Sequence, residues 1–268
     1  MLGAIIGDIV GSVYEFNNIK TKEFPLFSEK SNYTDDTVMT LAVLDILQNG
    51  YENDKDKIID TFKKWGRAYP DAGYGSRFLY WALGYDRDPI NSYGNGSAMR
   101  VSACAWYGKS EEEVIDLATK LTEVSHNHPE GIKGAVVTAL SIYYAKIGKS
   151  KEFIKEYVEK EYPKIKELDY EELRRTYVHG PEICQVTVPE AIYCFLISNS
   201  FEDCIRTTIS IGGDCDTTAA ISCAIAEAYY KPFDYNKWLN DIKDRLPKAK
   251  KGCNALELIE KFIKDNYK

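Results

Sequence analysis

The 268-residue chain has no CxxC pair, so it carries neither a zinc ribbon nor a thioredoxin-type redox motif. Its seven cysteines are odd in number and scattered, which fits reduced, buried thiols of a cytoplasmic protein better than a disulfide framework. Histidine is scarce, and His126 and His128 stand two apart, which is not the spacing of a helical zinc site. There is no basic excess. The formal charge of −7 argues against a broad nucleic-acid or anionic-membrane surface. No run of about 18 apolar residues occurs, so no membrane-spanning helix is expected. The opening MLGAIIGDIVGS lacks a basic n-region, and Asp8 breaks its apolar run, so it does not read as a secretory signal. No Pro/Gly/Ser-rich linker, no repeat at a 20–50-residue period and no alternating strand pattern appears. Helical periodicity is present almost everywhere instead, and the expectation is one all-α domain over residues 1–268.

Two stretches organise that helical chain. In ISIGGDCDTTAAISCAIAEAYY (209–230), Asp214 and Asp216 follow a Gly-Gly break and open an apolar helix. In YTDDTVMTLAVLDIL (33–47), Asp35 and Asp36 do the same, with Thr34 as N-cap. One acid in a first helical turn is explained by the helix dipole. Two adjacent acids repel, and a bound cation would relieve that. Carboxylate and hydroxyl oxygens with no Cys–His set favour Mg²⁺, Mn²⁺ or Ca²⁺ over zinc. Thr34 and Thr217 can add hydroxyl oxygens, and Asp36 or Asp216 could bridge two ions.

Other segments leave two readings open. Gly3, Gly7 and Gly11 fall on one stripe of a helix over residues 2–16, where a second helix could approach closely. Glu15, at the end of that element, reads from the residues alone as a solvated surface acid. In YGNGSAMR (93–100), glycines lead into a helix starting near Ser97. This is either a phosphate cradle or a glycine-rich turn capped by Ser97. In SHNHPEG (125–131), His126 is either a structural hydrogen-bonding residue or a ligand, and Pro129 suits a helix start. Helices are expected over 54–68, through Leu79 and Trp81, and over 110–124 with Ser110 as cap and Glu113 at the capping-box position. Another is expected over 187–198, with Pro189 near its first turn. The charged stretch 146–176 reads as a solvated helical excursion.

The motifs GDIVGSVYE, YTDDT, YGNGSAMR, SHNHPEG and SIGGDCDTTAAISCAIAEAYY, in this order, resemble the ADP-ribosylglycohydrolase family. That resemblance implies an all-α fold with two Mg²⁺ ions (Mn²⁺ as the alternative) in a central cleft. It implies Thr34, Asp35 and Asp36 as one half of the metal site, and Asp214, Asp216 and Thr217 as the other. It makes Glu15 the expected acid/base residue. It assigns Gly94, Asn95, Gly96 and Ser97 to the diphosphate of ADP-ribose, His126 to the substrate lining and Tyr93 to an aromatic wall. The implied reaction is hydrolysis at the anomeric carbon of the distal ribose, releasing ADP-ribose from a modified protein, a nucleic acid or a small metabolite. Two alternatives stand beside it: an ADP-ribose-binding protein without turnover, and a different two-metal hydrolase acting on phosphate esters or nucleosides.

Overall fold

The computed structural model describes residues 1–178 and 180–266. Its helices are α1 (Leu2–Gly11), α2 (Asp35–Gln48), α3 (Lys55–Ala68), α4 (Ser76–Leu83), α5 (Gly96–Met99) and α6 (Ser102–Tyr107). They continue as α7 (Glu111–Glu123), α8 (Pro129–Lys146), α9 (Lys151–Glu161), α10 (Tyr170–Thr176) and α11 (Cys184–Ile197). The chain ends with α12 (Phe201–Ile211), α13 (Cys215–Tyr229), α14 (Tyr235–Ile242) and α15 (Ala255–Asn266). Among the described residues there is no strand, only the isolated bridges Gly94–Ile183 and Lys250–Cys253. The all-α expectation is met.

Helix α13 is the axis of the molecule, buried from Cys215 through Ala228. Helices α1, α8, α11 and α12 surround it. The glycine stripe of α1 lies directly on its backbone. A Cβ built on Gly3 would fall 2.3 Å from the Cys223 carbonyl oxygen, and one on Gly7 2.3 Å from that of Ala219. One on Gly11 would fall 2.5 Å from the Asp216 Cα. Such distances admit no side chain, so the stripe lets the two backbones touch. Helix α1 therefore delivers Asp8 to the start of α13 with little tolerance.

Capping follows the sequence closely. The side chains of Thr34, Asp54, Ser110, Ser150, Asp169 and Ser200 each accept a backbone N–H in the first turn of the helix they open. Glu113 accepts from the Lys109 N–H at 2.8 Å, one residue before the position a capping box would use. All seven cysteines are free and buried.

Three boundaries differ from expectation. Helix α1 stops at Gly11, and Glu15 sits in the turns beyond it. The helix expected near Ser97 is two short pieces, α5 and α6, interrupted at Arg100 and Val101. Helix α11 starts at Cys184, so Pro189 lies inside it. The extra turn is held from outside: Ile183 bridges to Gly94, and the Cys184 N–H donates to the Tyr93 carbonyl at 3.1 Å. Docking onto that loop outweighs the donor lost at proline.

Candidate active site

The two acidic helix starts meet at one end of α13, facing a cavity of about 300 Å³. Asp8 is fully buried behind the lining residues Thr34 and Asp36. Its carboxylate accepts the Thr34 N–H and hydroxyl at 3.0 and 2.8 Å and the Thr37 N–H at 3.0 Å, together with the Thr37 hydroxyl. Burial pushes the Asp8 carboxyl up to about 6, against the downward pull of those bonds. Two trios of carboxylates have oxygens within 4.8 Å of one another: Asp8–Asp36–Asp216 and Glu15–Asp214–Asp216. They share Asp216, and each trio could hold a metal ion. Burial, and then the neighbouring carboxylates, hold Asp35, Asp36 and Asp216 well above the ordinary carboxylate range.

The donor set fits a hard divalent cation. Asp36 is buried, yet its Oδ1 has no hydrogen-bond partner, while its Oδ2 accepts the Thr217 hydroxyl at 3.1 Å. A buried acceptor left unmade is costly, and a cation between the trios would satisfy it. The Thr34 and Thr217 hydroxyls direct their protons at Asp8 and Asp36, leaving oxygen lone pairs for an ion. Asp214 stands at the N-cap of α13 but makes no side-chain cap bond, so its carboxylate is turned to the cavity.

Glu15 reaches this cluster because Asn18 ties its turn down. The Asn18 amide donates to the carbonyls of Tyr14, Glu15 and Gly213 at 2.7, 2.8 and 2.9 Å, and its oxygen accepts the Gly213 N–H at 2.8 Å. Gly212 and Gly213 both have positive φ, +79° and +74°. That left-handed pair makes the sharp entry that puts Asp214 and Asp216 on the cavity side.

Beside the acids, the cavity is also lined by the 94–96 loop with His126 and Arg100. Arg100 is buried over the rings of Phe62 and Phe78, 4.7 and 5.7 Å from their centroids. Burial pushes its guanidinium down to about 9, which leaves it cationic at neutral pH. Its Nη2 donates to the Ser125 hydroxyl at 2.8 Å, and that hydroxyl lies 2.9 Å from His126 Nδ1. This network assigns Nδ1 as acceptor and leaves Nε2–H as donor. Burial, then the Arg100 and Arg77 charges, hold the imidazole well below its usual range, so it is neutral. Nε2 lies 3.3 Å from where a Cβ on Gly96 would stand and 3.9 Å from one on Gly94. The two glycines thus leave open space in front of an N–H donor.

Most of the residues singled out from the sequence line this cavity: Glu15, Thr34, Asp35, Asp36, Gly94, Asn95, Gly96, His126, Asp214, Asp216 and Thr217. Asp35 belongs to neither trio; its Oδ1 is 3.6 Å from the Cβ position of Gly73. Ser97 is fully buried beneath the loop, donating to the Gly94 carbonyl at 3.1 Å, and is not part of the lining. Tyr93 lies outside it too, 42% exposed, its ring 4.9 Å from that of His128. Sequence reasoning missed Asp8 as a site residue, along with Asn18, Arg100 and the 73–78 segment. Asp8 had a signal: an acid on an otherwise apolar glycine-striped helix needs a buried partner.

The family profile described as ADP-ribosylglycohydrolase matches residues 1–265. The chain belongs to the ADP-ribosylglycohydrolase family and is a hydrolase of ADP-ribosyl linkages. It is 29% identical to ADP-ribosylhydrolase ARH3 of Mus musculus, with 86% of this chain and 82% of that protein aligned. It is 24% identical to the ADP-ribosyl-[dinitrogen reductase] glycohydrolase of Rhodospirillum rubrum, over 90% of this chain and 88% of that one. A solved structure titled "ADP-ribosylglycohydrolase-related protein complex" has the same fold, with TM-score 0.65 and 24% identity over 97% of this chain and 96% of that chain. Among the described residues no helix is long and apolar enough to cross a membrane.

Proposed function

We propose that the chain hydrolyses the glycosidic bond at the anomeric carbon of the distal ribose of ADP-ribosyl groups, with two Mg²⁺ ions in the acidic cluster. The observation that carries this is the pair of carboxylate trios sharing Asp216 beside a glycine-lined wall of one cavity. Asp8, Asp36 and Asp216, with Thr34 and Thr217, would hold one ion; Glu15, Asp214 and Asp216 would hold or face the other. Bound there, Mg²⁺ supplies orientation of ribose hydroxyls and activation of water.

The chain's own groups do the rest. Gly94 and Gly96 leave room for a diphosphate, and neutral His126 offers Nε2–H to one of its oxygens. Arg100, also in the lining, adds positive charge that complements an anion there. Asp35 stands among the anions at the metal side, placed to stabilise oxocarbenium-like charge. Glu15, half-buried at the cavity edge, is the proton-transfer group for the departing side or the attacking water. Ser97 supports the loop from beneath, and Tyr93 with His128 forms an aromatic shoulder outside the cavity. The volume is at the low end for ligand pockets, which suits the distal ribose and diphosphate rather than the whole nucleotide. The buried free thiols suit a reducing, cytoplasmic setting.

The test is product release from arginine-linked, serine-linked, nucleic-acid-linked and O-acetyl ADP-ribose, each with Mg²⁺ and with EDTA. Free ADP-ribose from at least one, lost with EDTA and in Asp214→Ala, is expected. Binding of ADP-ribose without release from any would overturn the hydrolytic reading in favour of a binding role. Release of phosphate or free base would put the chain's chemistry elsewhere.

A further inference from the structure

The 94–97 loop and the acidic cluster are joined by one side chain. Asn95 is buried, and its amide nitrogen has two hydrogens with two acceptors: Asp214 Oδ2 at 2.6 Å and Thr187 Oγ1 at 3.0 Å. Both donors are used inside the protein, so the amide nitrogen has none left for a ligand. The short bond to a carboxylate is charge-assisted and the stronger of the two. Asp214 makes no cap bond to its own helix, so the Asn95 amide fixes one carboxylate oxygen and leaves the other to the trio with Glu15 and Asp216.

Thr187 anchors the amide from behind. It is buried on α11, one turn after Cys184, and is not part of the cavity lining. The same helix start grips the loop at further points. The Glu182 carbonyl accepts the Asn95 N–H at 3.0 Å. The Cys184 thiol donates to the Gly94 carbonyl at 3.3 Å and lies 3.1 Å from the Ser97 hydroxyl. Loop, α11 and Asp214 therefore move as a unit or not at all.

We infer that Thr187 and Asn95 form a positioning relay that couples occupancy of the diphosphate loop to cation binding at Asp214. The inference rests on the proposed metal-dependent reading. A ligand that draws the loop into one position holds Asn95, and Asn95 holds Asp214 in its ion-binding orientation. By linkage, the ion tightens the ligand by the same factor as the ligand tightens the ion. Thr187 touches neither and acts through Asn95 alone.

The experiment is a calorimetric cycle with Mg²⁺ and ADP-ribose as probes, each titrated with and without the other. The wild type is expected to bind Mg²⁺ at least about five-fold more tightly when saturated with ADP-ribose, the lower end of ordinary coupling. Thr187→Val keeps the shape but removes the acceptor, and is expected to lower that factor to what direct contact between ion and ribose hydroxyls alone leaves. Thr187→Ser restores the hydroxyl and is expected to restore the coupling. Asn95→Ala, which breaks both bonds, is the second variant should Thr187→Val not fold as judged by circular dichroism, and it too is expected to lower the factor to that level. The factor is a ratio, so it is insensitive to a uniform loss of affinity from altered packing. Wild-type coupling retained in Thr187→Val and Asn95→Ala overturns the relay and leaves the metal-dependent reading standing, whereas independent binding of the two probes in the wild type overturns both. Absence of any Mg²⁺ binding by the wild type overturns both.

Discussion

Replacing Gly7 by alanine tests the central packing claim. In an exposed helix this change would stabilise by about 1 kcal/mol, because alanine is the better helix former. Here the new methyl would sit 2.3 Å from the Ala219 carbonyl oxygen and 2.5 Å from its carbon. Ordinary contact begins near ~3.4 Å, so the helices must part by roughly 1 Å, and no rotamer can absorb the clash because the neighbour is backbone. Overpacking of this kind costs about 1–3 kcal/mol, more where relief is blocked. With relief blocked, the cost falls at the upper end of that range, so the net expectation after the propensity gain is a loss of about 1–2 kcal/mol, a melting temperature lower by roughly 2–8 °C in a domain of this size. Function should suffer beyond that. Asp8 follows Gly7, and Gly11 abuts Asp216, so parting the helices widens the Asp8–Asp216 separation on which the first carboxylate trio depends. Thermal melting by circular dichroism, with and without Mg²⁺, reads both effects. A Gly7→Ala variant that melts at or above the wild-type temperature and keeps the full Mg²⁺-induced rise would refute the close-packed interface.

Asp36→Asn removes one buried like charge whose Oδ1 has no partner; its metal-free melting temperature is expected to equal or exceed the wild type. The Mg²⁺-induced rise, worth about 2.7 kcal/mol at a hundredfold excess over Kd, should vanish; a retained rise would remove Asp36 from the ion site. Glu15→Gln is expected to lower kcat by about 10²–10⁴-fold while keeping Mg²⁺ binding at the Asp8–Asp36–Asp216 trio, which lacks Glu15, and unchanged turnover would show that another group moves the proton. His126 is held neutral in the fold by burial and by Arg100 and Arg77. Its folded value lies below the unfolded one, so the unfolded chain binds the extra proton as pH falls below about 6.5, and stability drops by up to about 1.4 kcal/mol per pH unit until the folded value is reached. Urea titrations between pH 7.5 and 5 should show a smaller loss for His126→Gln, and equal slopes would contradict the buried neutral imidazole.

What could be read in the sequence was what local chemistry dictates. Thr34 and Ser110 cap because a hydroxyl before a helix meets orphan N–H groups whatever the tertiary context. The glycine stripe on α1 announced a close neighbour, and the acid pairs announced a shared carboxylate cluster that could hold a metal ion. What could not be read was which distant surfaces meet. Pro189 looked like a helix start, yet the loop at 93–94 extends α11 by a turn on its N-terminal side. Asn95 lines the cavity as expected of the 94–97 loop, but the bonds of its amide nitrogen to Thr187 and Asp214 could not be foreseen. Asp8 was dismissed as an interruption in an apolar run. Its value depends on Thr34 and Thr37, which reach it only when α1 and α2 are packed.

The pairing of α1 with α13 also has a consequence for synthesis. The first apolar helix leaves the ribosome long before its partner, more than 200 residues later, exists. Until then its glycine ridge has no backbone to rest against and its isoleucines stay open to wrong contacts, the condition under which large chains misassemble. Folding is therefore biased to finish late, with the N-terminal helix waiting for α13, Cys215–Tyr229 of a 268-residue chain. The acidic cluster inherits that timing: Asp8 and Asp36 are made early but gain Asp214 and Asp216 only at closure, so a half-made chain offers cations scattered, weakly binding acids instead of a site.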